Sequence, residues 1–190
     1  MIDNDNFIKI VKDIISNLNN IFFDIKYSVG NEGFQKKYEN YKIQPINIQK
    51  EKREILNNYN LVISIHFRQI LPKKIVNNIT CINFHPGYNP YNRGWYPHVF
   101  SMINHLPTGV TIHTMDENID KGKIIYREKI EINSWETSKD VYKKIIKLEK
   151  KLLQDKFIDL VKGNYKTKDY NTEGNINFKS DYEKLKKLNL

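Results

Sequence analysis

Asn83 and His85, in Asn83-Phe84-His85-Pro86-Gly87, and Asp120, in Ile119-Asp120-Lys121-Gly122, are residue types that together can move an acyl group between two nitrogens. A carboxylate can fix an imidazole, the imidazole can handle a proton, and an amide N–H can steady the oxygen on which charge develops. Residues 79–84 alternate and are apolar enough for a buried strand, which Pro86-Gly87 stops. Residues two apart on a strand share a face. Asn83 and His85 are therefore expected to point the same way at the carboxyl end of a strand, where open α/β sheets place their ligands.

The flanking chain supplies the elements that must hold these residues. Phe7, Ile8, Ile10, Val11, Ile14, Ile15 and Leu18 recur at helical spacing and predict a helix over 5–19. Strands are expected at 21–29 and, as an edge because of Pro45, at 42–48. A charged helix over 49–58 follows, then the continuous apolar strand Leu61-Val62-Ile63-Ser64-Ile65 of a sheet buried on both faces. Further on, helices are expected over 72–77, 94–106 and 137–161, and strands over 109–115 and 123–132. This alternation predicts an α/β fold, a mostly parallel sheet flanked by helices, over 1–163. Residues 164–190 read as an appendage, irregular at first with a short helix over 182–190, and no internal repeat or phosphate-binding glycine loop occurs.

The bulk numbers exclude several classes. With 39% hydrophobic residues among 190, the chain has the composition of a soluble globular protein with a real core. No apolar run approaches the roughly 18 residues of a membrane span, and no signal peptide is legible, so a cytoplasmic protein is expected. The lone Cys81 permits no intrachain disulfide and reads as a buried hydrophobe. A net charge of +9 raises the question of nucleic acid. Yet Lys139, Lys143, Lys144, Lys147, Lys150 and Lys151 interleave with Ile145, Ile146, Leu148, Leu152 and Leu153, the pattern of a solvated helix face, so no nucleic-acid partner is expected. The five histidines show no metal-ligand spacing, and no metal is expected.

The paired motifs, Asn-x-His-Pro and Thr108-Gly109-Val110-Thr111-Ile112-His113 with a downstream Asp, resemble those of formyltransferases that use 10-formyltetrahydrofolate. The resemblance implies a Rossmann-like formyltransferase fold with Asn83, His85 and Asp120 as catalytic residues. Asp116 is the rival carboxylate, but the spacing to Gly122 puts Asp120 in the catalytic place. Gln69, Ile70 and Leu71 match the family's pterin-lining segment, and Asp116 and Glu117 the loop that helps cradle the pterin. His113 belongs to the fixed pattern as a structural hydrogen-bonder.

The stretch Pro86-Gly87-Tyr88-Asn89-Pro90-Tyr91-Asn92-Arg93-Gly94-Trp95-Tyr96-Pro97 is similar to that of the sugar N-formyltransferases, as is Ser64-Ile65-His66-Phe67-Arg68-Gln69. It implies a dTDP-linked amino-dideoxy sugar as acceptor, in surface-glycan biosynthesis, with Arg68 and Arg93 for the pyrophosphate. Tyr88, Tyr91, Trp95 and Tyr96 would then offer flat faces to the hexose or base, and Asn92 would join the substrate site. Similar enzymes are dimers, and a homodimer is expected. The alternatives are a glycinamide ribonucleotide formyltransferase, a folate-binding relative without turnover, and a basic nucleic-acid binder on the same scaffold. Two departures stand out. Only Met1-Ile2 precedes Asp3-Asn4, so the first strand should be very short, and the residues after the long helix are not expected to form the carboxyl-terminal domain of the methionyl-tRNA enzymes, an expectation that counts against tRNA.

Overall fold

The computed structural model describes residues 1–38 and 43–187. Its elements are α1 (Asp5–Ile15), β1 (Ile25–Ser28), α2 (Glu32–Tyr38), β2 (Ile43–Ile46), α3 (Lys52–Asn58), β3 (Leu61–Ile65), α4 (Lys73–Val76) and β4 (Thr80–His85). They continue with β5 (Arg93–Gly94), α5 (Pro97–Ile103), β6 (Thr108–Thr114), β7 (Ile124–Ile130), α6 (Ser138–Lys162), β8 (Ile176–Asn177) and α7 (Lys179–Lys187). The first residue of the strand expected at 42–48, and the last three of the helix expected at 182–190, lie outside the described residues.

β3, β4, β6 and β7 form the central sheet in that order, β3 and β4 parallel, the other two pairs antiparallel. β1 and β2 form a second, parallel pair. Ile2 joins the two: it bridges Ile65 in parallel, and its N–H donates to the Lys26 carbonyl at 2.8 Å. The short first strand is thus a single bridge set between β1 and β3. The parallel order holds from β2 to β4 and reverses beyond, where the β6–β7 hairpin folds back on β4. Asp3 secures the entry, its carboxylate accepting from the Ser28 hydroxyl and, at 2.8 Å each, from the N–H groups of Ser28 and Arg68.

Two cores flank the sheet. On one side α1 and α6 bury Phe7, Ile8 and Val11 together with Val141, Ile145, Leu152 and Leu153 against Ile82, Phe84, Val110 and Ile112. On the other, Ile46, Ile48, Ile55, Val62, Leu71, Ile75 and Cys81 pack together. Burial pushes the Cys81 thiol up to about 12, in keeping with a small hydrophobe and not a nucleophile. α6 opens on a capping box between Thr137 and Asp140 and closes on Gly163 at φ 72°, the left-handed conformation that suits glycine. The interleaved lysines of α6 lie exposed or half-buried, away from the core.

Three local readings differ. The first strand after α1 begins at Ile25, because Asn20 turns at φ 65° and Phe22 stands 74% exposed. α2 has too few apolar positions for a helical period to register. α5 starts at Pro97 instead of residue 94, because Tyr96 turns at φ 49° and Arg93–Gly94 is drawn into a parallel pairing with β8. Residues 164–187 therefore fold back on β7 and on the loop that follows β4: Lys168 bridges Ile124 at the start of β7, and the rings of Tyr182 and Tyr96 stack at 3.9 Å.

Candidate active site

β4 carries Asn83 and His85 to one end of the sheet, and the β6–β7 connection brings Asp120 across to meet them. Asp120 Oδ1 accepts from Asn83 Nδ2 at 3.0 Å, while Oδ2 lies 3.4 Å from His85 Nδ1 and accepts the Gly94 N–H at 3.0 Å. β4 and β6 run antiparallel with Asn83 opposite His113 and His85 opposite Thr111, so both β6 residues join the site. His113 Nδ1 lies 2.6 Å from the Thr114 carbonyl. A carbonyl only accepts, so that nitrogen carries hydrogen and Nε2 faces Asn83 Nδ2 at 3.5 Å. That is the structural role expected of His113.

The turn bearing Asp120 is held at three successive carbonyls. Arg93 Nη1 donates to Ile119 O at 3.3 Å, Asn89 Nδ2 to Asp120 O at 2.8 Å, and Tyr170 Oη to Lys121 O at 2.6 Å. Asp120 itself sits at φ 48°, a left-handed conformation that is uncommon for a side-chain-bearing residue and persists where surroundings impose it. Thr111 pins the chain just after His85, donating to Gly87 O at 2.7 Å and accepting the Asn89 N–H at 3.0 Å. Arg127 secures the same segment, reaching Asn89 O at 2.5 Å with its guanidinium 4.5 Å from the Tyr88 ring centre.

Electrostatics sort the protons. Burial pushes His85 down to about 4, outweighing the opposite pull of Asp120, so its imidazole is neutral at neutral pH. Burial alone would raise the Asp120 carboxyl, but the facing His85, the neighbouring His113 and the Gly94 N–H together hold it below the usual carboxylate range. Next to an ionised carboxylate, the single proton of His85 belongs on Nδ1. That leaves a lone pair on Nε2, a buried atom with no hydrogen-bond partner among the described residues. An anchored carboxylate, a neutral imidazole with one free nitrogen and an amide N–H donor can together accept a proton from a nucleophile and stabilise a developing oxyanion.

The other candidates divide. Gln69 has its amide committed to β2, donating to Ile46 O at 2.6 Å and accepting the Ile48 N–H at 3.0 Å. Ile70 projects outward, 70% exposed, whereas the Leu71 side chain is core. Asp116 accepts the Asn118 N–H at 2.7 Å, closing a turn, and Glu117 pairs with Lys73 and accepts from Asn77 at 2.9 Å. Glu117 thereby ties the loop before Asp120 to α4. Arg68 is exposed, Trp95 is 43% exposed, and Tyr88 and Tyr91 are half-buried.

Two substrate candidates are placed otherwise than expected. Asn92 is fully buried, donates from Nδ2 to Ser101 Oγ at 3.0 Å and accepts at Oδ1 from Asn175 and Asn177, so its side chain is spent inside the protein. Arg93, 8% exposed, turns inward to the Ile119 carbonyl instead of presenting its guanidinium to an outside anion. Both sit where the chain must fold sharply beneath residues 175–177, which covers them. The sequence reading passed over Asn89, Thr111, Tyr170, Asn175 and Asn177. Thr111 alone carried a signal, since its register across from His85 follows once β4 and β6 are paired.

The formyl transferase family model matches residues 26–157. The chain is 43% identical over 137 residues to the dTDP-4-amino-4,6-dideoxyglucose formyltransferase of Mycobacterium bovis, covering 72% of this chain and 58% of that protein. It thus spans less than two thirds of that relative's length. Among solved structures, a 4-N formyltransferase from Francisella tularensis is 42% identical with a TM-score of 0.91, over 97% of this chain and 77% of that one. A formyltransferase from Anoxybacillus kamchatkensis, solved with UDP-4,6-dideoxy-4-formamido-L-AltNAc and tetrahydrofolate, is 25% identical with a TM-score of 0.71, over 86% and 89% of the two chains.

Proposed function

The chain belongs to the formyl transferase family, and from that premise we propose that it transfers a formyl group from 10-formyltetrahydrofolate to the amino group of a dTDP-linked amino-dideoxy sugar. The carrying observation is the buried, unpartnered Nε2 of His85 beside the anchored Asp120. Asn83, His85 and Asp120 are the catalytic residues in this reading. The relatives that carry the same chemistry on nucleotide-linked amino sugars support the choice of acceptor, as does the Asn92-Arg93-Gly94-Trp95 segment against a glycinamide ribonucleotide acceptor.

The residues present fit a bound formyl donor. Gly87 leaves clear the space beside His85 Nε2, where a Cβ would fall 2.4 Å from that atom. Exposed Ile70 and the loop of Asp116 and Glu117 are the proposed pterin neighbours, Gln69 and Leu71 shaping that segment from within. The donor supplies a formyl carbon open to attack by an amine. His85 Nε2 takes the proton that the attacking amine must shed. Asp120 holds the ring by Nδ1 and stabilises the imidazolium that results. Asn83 Nδ2 bears two hydrogens, one given to Asp120 and the other in a long 3.5 Å contact with His113 Nε2, which the formyl oxygen can replace as charge builds there. His85, once protonated, returns the proton to the departing nitrogen.

On the acceptor side, Arg68 is the exposed cation for the pyrophosphate, and Tyr88, Tyr91 and Trp95 offer ring faces to hexose or base. The same reading extends to a homodimer working in the cytoplasm on precursors of surface glycans. Among the described residues no helix is long and apolar enough to cross a membrane, and no three or more His, Cys, Asp or Glu are grouped so as to hold a metal ion.

The test is direct: the protein, 10-formyltetrahydrofolate and dTDP-4-amino-4,6-dideoxyglucose should yield a sugar nucleotide heavier by one formyl group. Turnover on glycinamide ribonucleotide, with none across dTDP-, UDP- and GDP-linked amino sugars, would overturn the acceptor class.

A further inference from the structure

We propose that Asn175 is a positioning residue for the Asp120 carboxylate, and that strand β8 sets the direction of the one backbone N–H that grips it. The proposal rests on the reading of His85 and Asp120 as the catalytic pair. Successive N–H groups along a strand point to opposite sides. Arg93 N donates to Asn175 O at 3.1 Å and Trp95 N to Asn177 O at 2.9 Å. The N–H between them, that of Gly94, must then point away from β8, and on that side it meets Asp120 Oδ2 at 3.0 Å. β8 thereby fixes the peptide orientation at Gly94 from both neighbours.

Asn175 is the residue that locks this pairing. Its side chain accepts the Asn92 N–H at 2.8 Å and donates to Asn92 Oδ1 at 2.7 Å, while its own N–H reaches Pro90 O at 3.2 Å. Asn92 turns at φ 49° and is fully buried, so its N–H would otherwise be an orphaned donor inside the protein. Gly174 lets the strand approach, since a Cβ there would stand 2.0 Å from Pro90 O. From the far side, Tyr170 holds Lys121 O at 2.6 Å. A segment that reads in the sequence as an appendage thus grips both sides of the turn that presents Asp120.

The experiment compares wild type with Asn175→Ala in steady-state kinetics, in hydrogen exchange, and in nitrogen NMR of the His85 ring. The expected result is a kcat lower by about 10- to 100-fold, the scale on which small misplacements of a reacting group are felt. KM for both substrates should change little. Exchange should quicken at residues 93–95 but not in β4 or α6, and His85 should lose its preference for the Nδ1–H tautomer. An unchanged kcat, or a lower kcat with the His85 tautomer intact, would overturn the proposal. If Asn175→Ala is too unstable, Asn175→Asp carries the test, because it keeps the acceptor for the Asn92 N–H while losing the donor. The exchange and NMR measurements need no acceptor sugar, so they decide the positioning even if the proposed acceptor is wrong.

Discussion

Gly87 lies so close to the His85 ring that a Cβ placed on it would stand 2.4 Å from Nε2 and 2.7 Å from Cδ2. In the proposed mechanism the glycine is the floor of the space in which the reacting groups meet the free imidazole nitrogen. Gly87→Ala should therefore reduce kcat by about 100-fold or more, since the ring must rotate away or the methyl must occupy the reaction space. Thermal unfolding should show a folded protein, because the loop is still pinned at Gly87 O by Thr111. Near-wild-type turnover in Gly87→Ala would mean that the reaction takes place elsewhere.

Protonation of His85 should be visible as a loss of stability in acid. Its folded value is lowered from 6.5 to about 4. Above 6.5 neither folded nor unfolded protein binds the proton, and between 6.5 and 4 only the unfolded protein does. Stability should thus fall as pH drops through that window and level off near pH 4, by up to about 3 kcal/mol from this group. His85→Gln should remove this component of the acid limb. In the wild type, a His85 NMR titration centred near the ordinary histidine value would contradict the electrostatic description.

Asn83→Ala, His85→Ala and Asp120→Ala should each fold and each lose turnover, on the order of 100- to 1,000-fold for the loss of the Asn83 donor. Asp120 touches both other residues, at 3.0 Å and 3.4 Å, so the three act as one unit. The double variant His85→Ala/Asp120→Ala should then be scarcely slower than His85→Ala alone. Additive losses in the double variant would separate the residues mechanistically.

How far the site was legible follows from which contacts are local. Asn83 and His85 share a strand face by simple alternation, and the apolar runs of β3, β4 and β6 announce a sheet, so this half could be read directly. The partnership with Asp120 came through the motif, since no spacing rule joins residues from different elements. What stayed hidden depends on chain reversal. Arg93 and Asn92 have the chemistry of ligand-binding residues, and only the return of residues 175–177 shows that the polar atoms of Asn92 are already spent and that Arg93 is turned inward to the Ile119 carbonyl. β5 and β8 are two residues each, too short for any periodicity. The bridge at Ile2 is likewise one residue wide.

Arg93→Ala should act on the Asp120 turn rather than on affinity for the acceptor. The guanidinium is buried and donates to Ile119 O, one residue before the carboxylate. The expected outcome is a lower melting temperature and a lower kcat, with KM for the nucleotide sugar nearly unchanged. A rise confined to the sugar KM, with stability intact, would return Arg93 to the role of a phosphate-binding residue.

The buried pair of His66 and Glu149 offers a last test, one of stability. His66 Nε2 stands 2.8 Å from Glu149 Oε2, the carboxylate is fully buried, and its Oε1 has no partner among the described residues. Burial pushes His66 down, but the facing Glu149 prevails and its folded value is raised. A raised histidine contributes stability that is complete below about 6.5 and is lost as pH climbs through the folded value. The two partners should respond unequally to substitution. His66→Leu strands a carboxylate in the core, which costs about 3–5 kcal/mol. Glu149→Gln should cost less, because His66 can release its proton and remain as a neutral ring stacked on Phe7 at 5.3 Å. Denaturant unfolding at pH 6 and pH 8 reads both points: His85 and His98 pull the other way in both proteins, so the His66 contribution appears as a stability gap between wild type and Glu149→Gln that is wider at pH 6 than at pH 8. Equal losses for the two substitutions at pH 8 would show that the pair is held by shape alone.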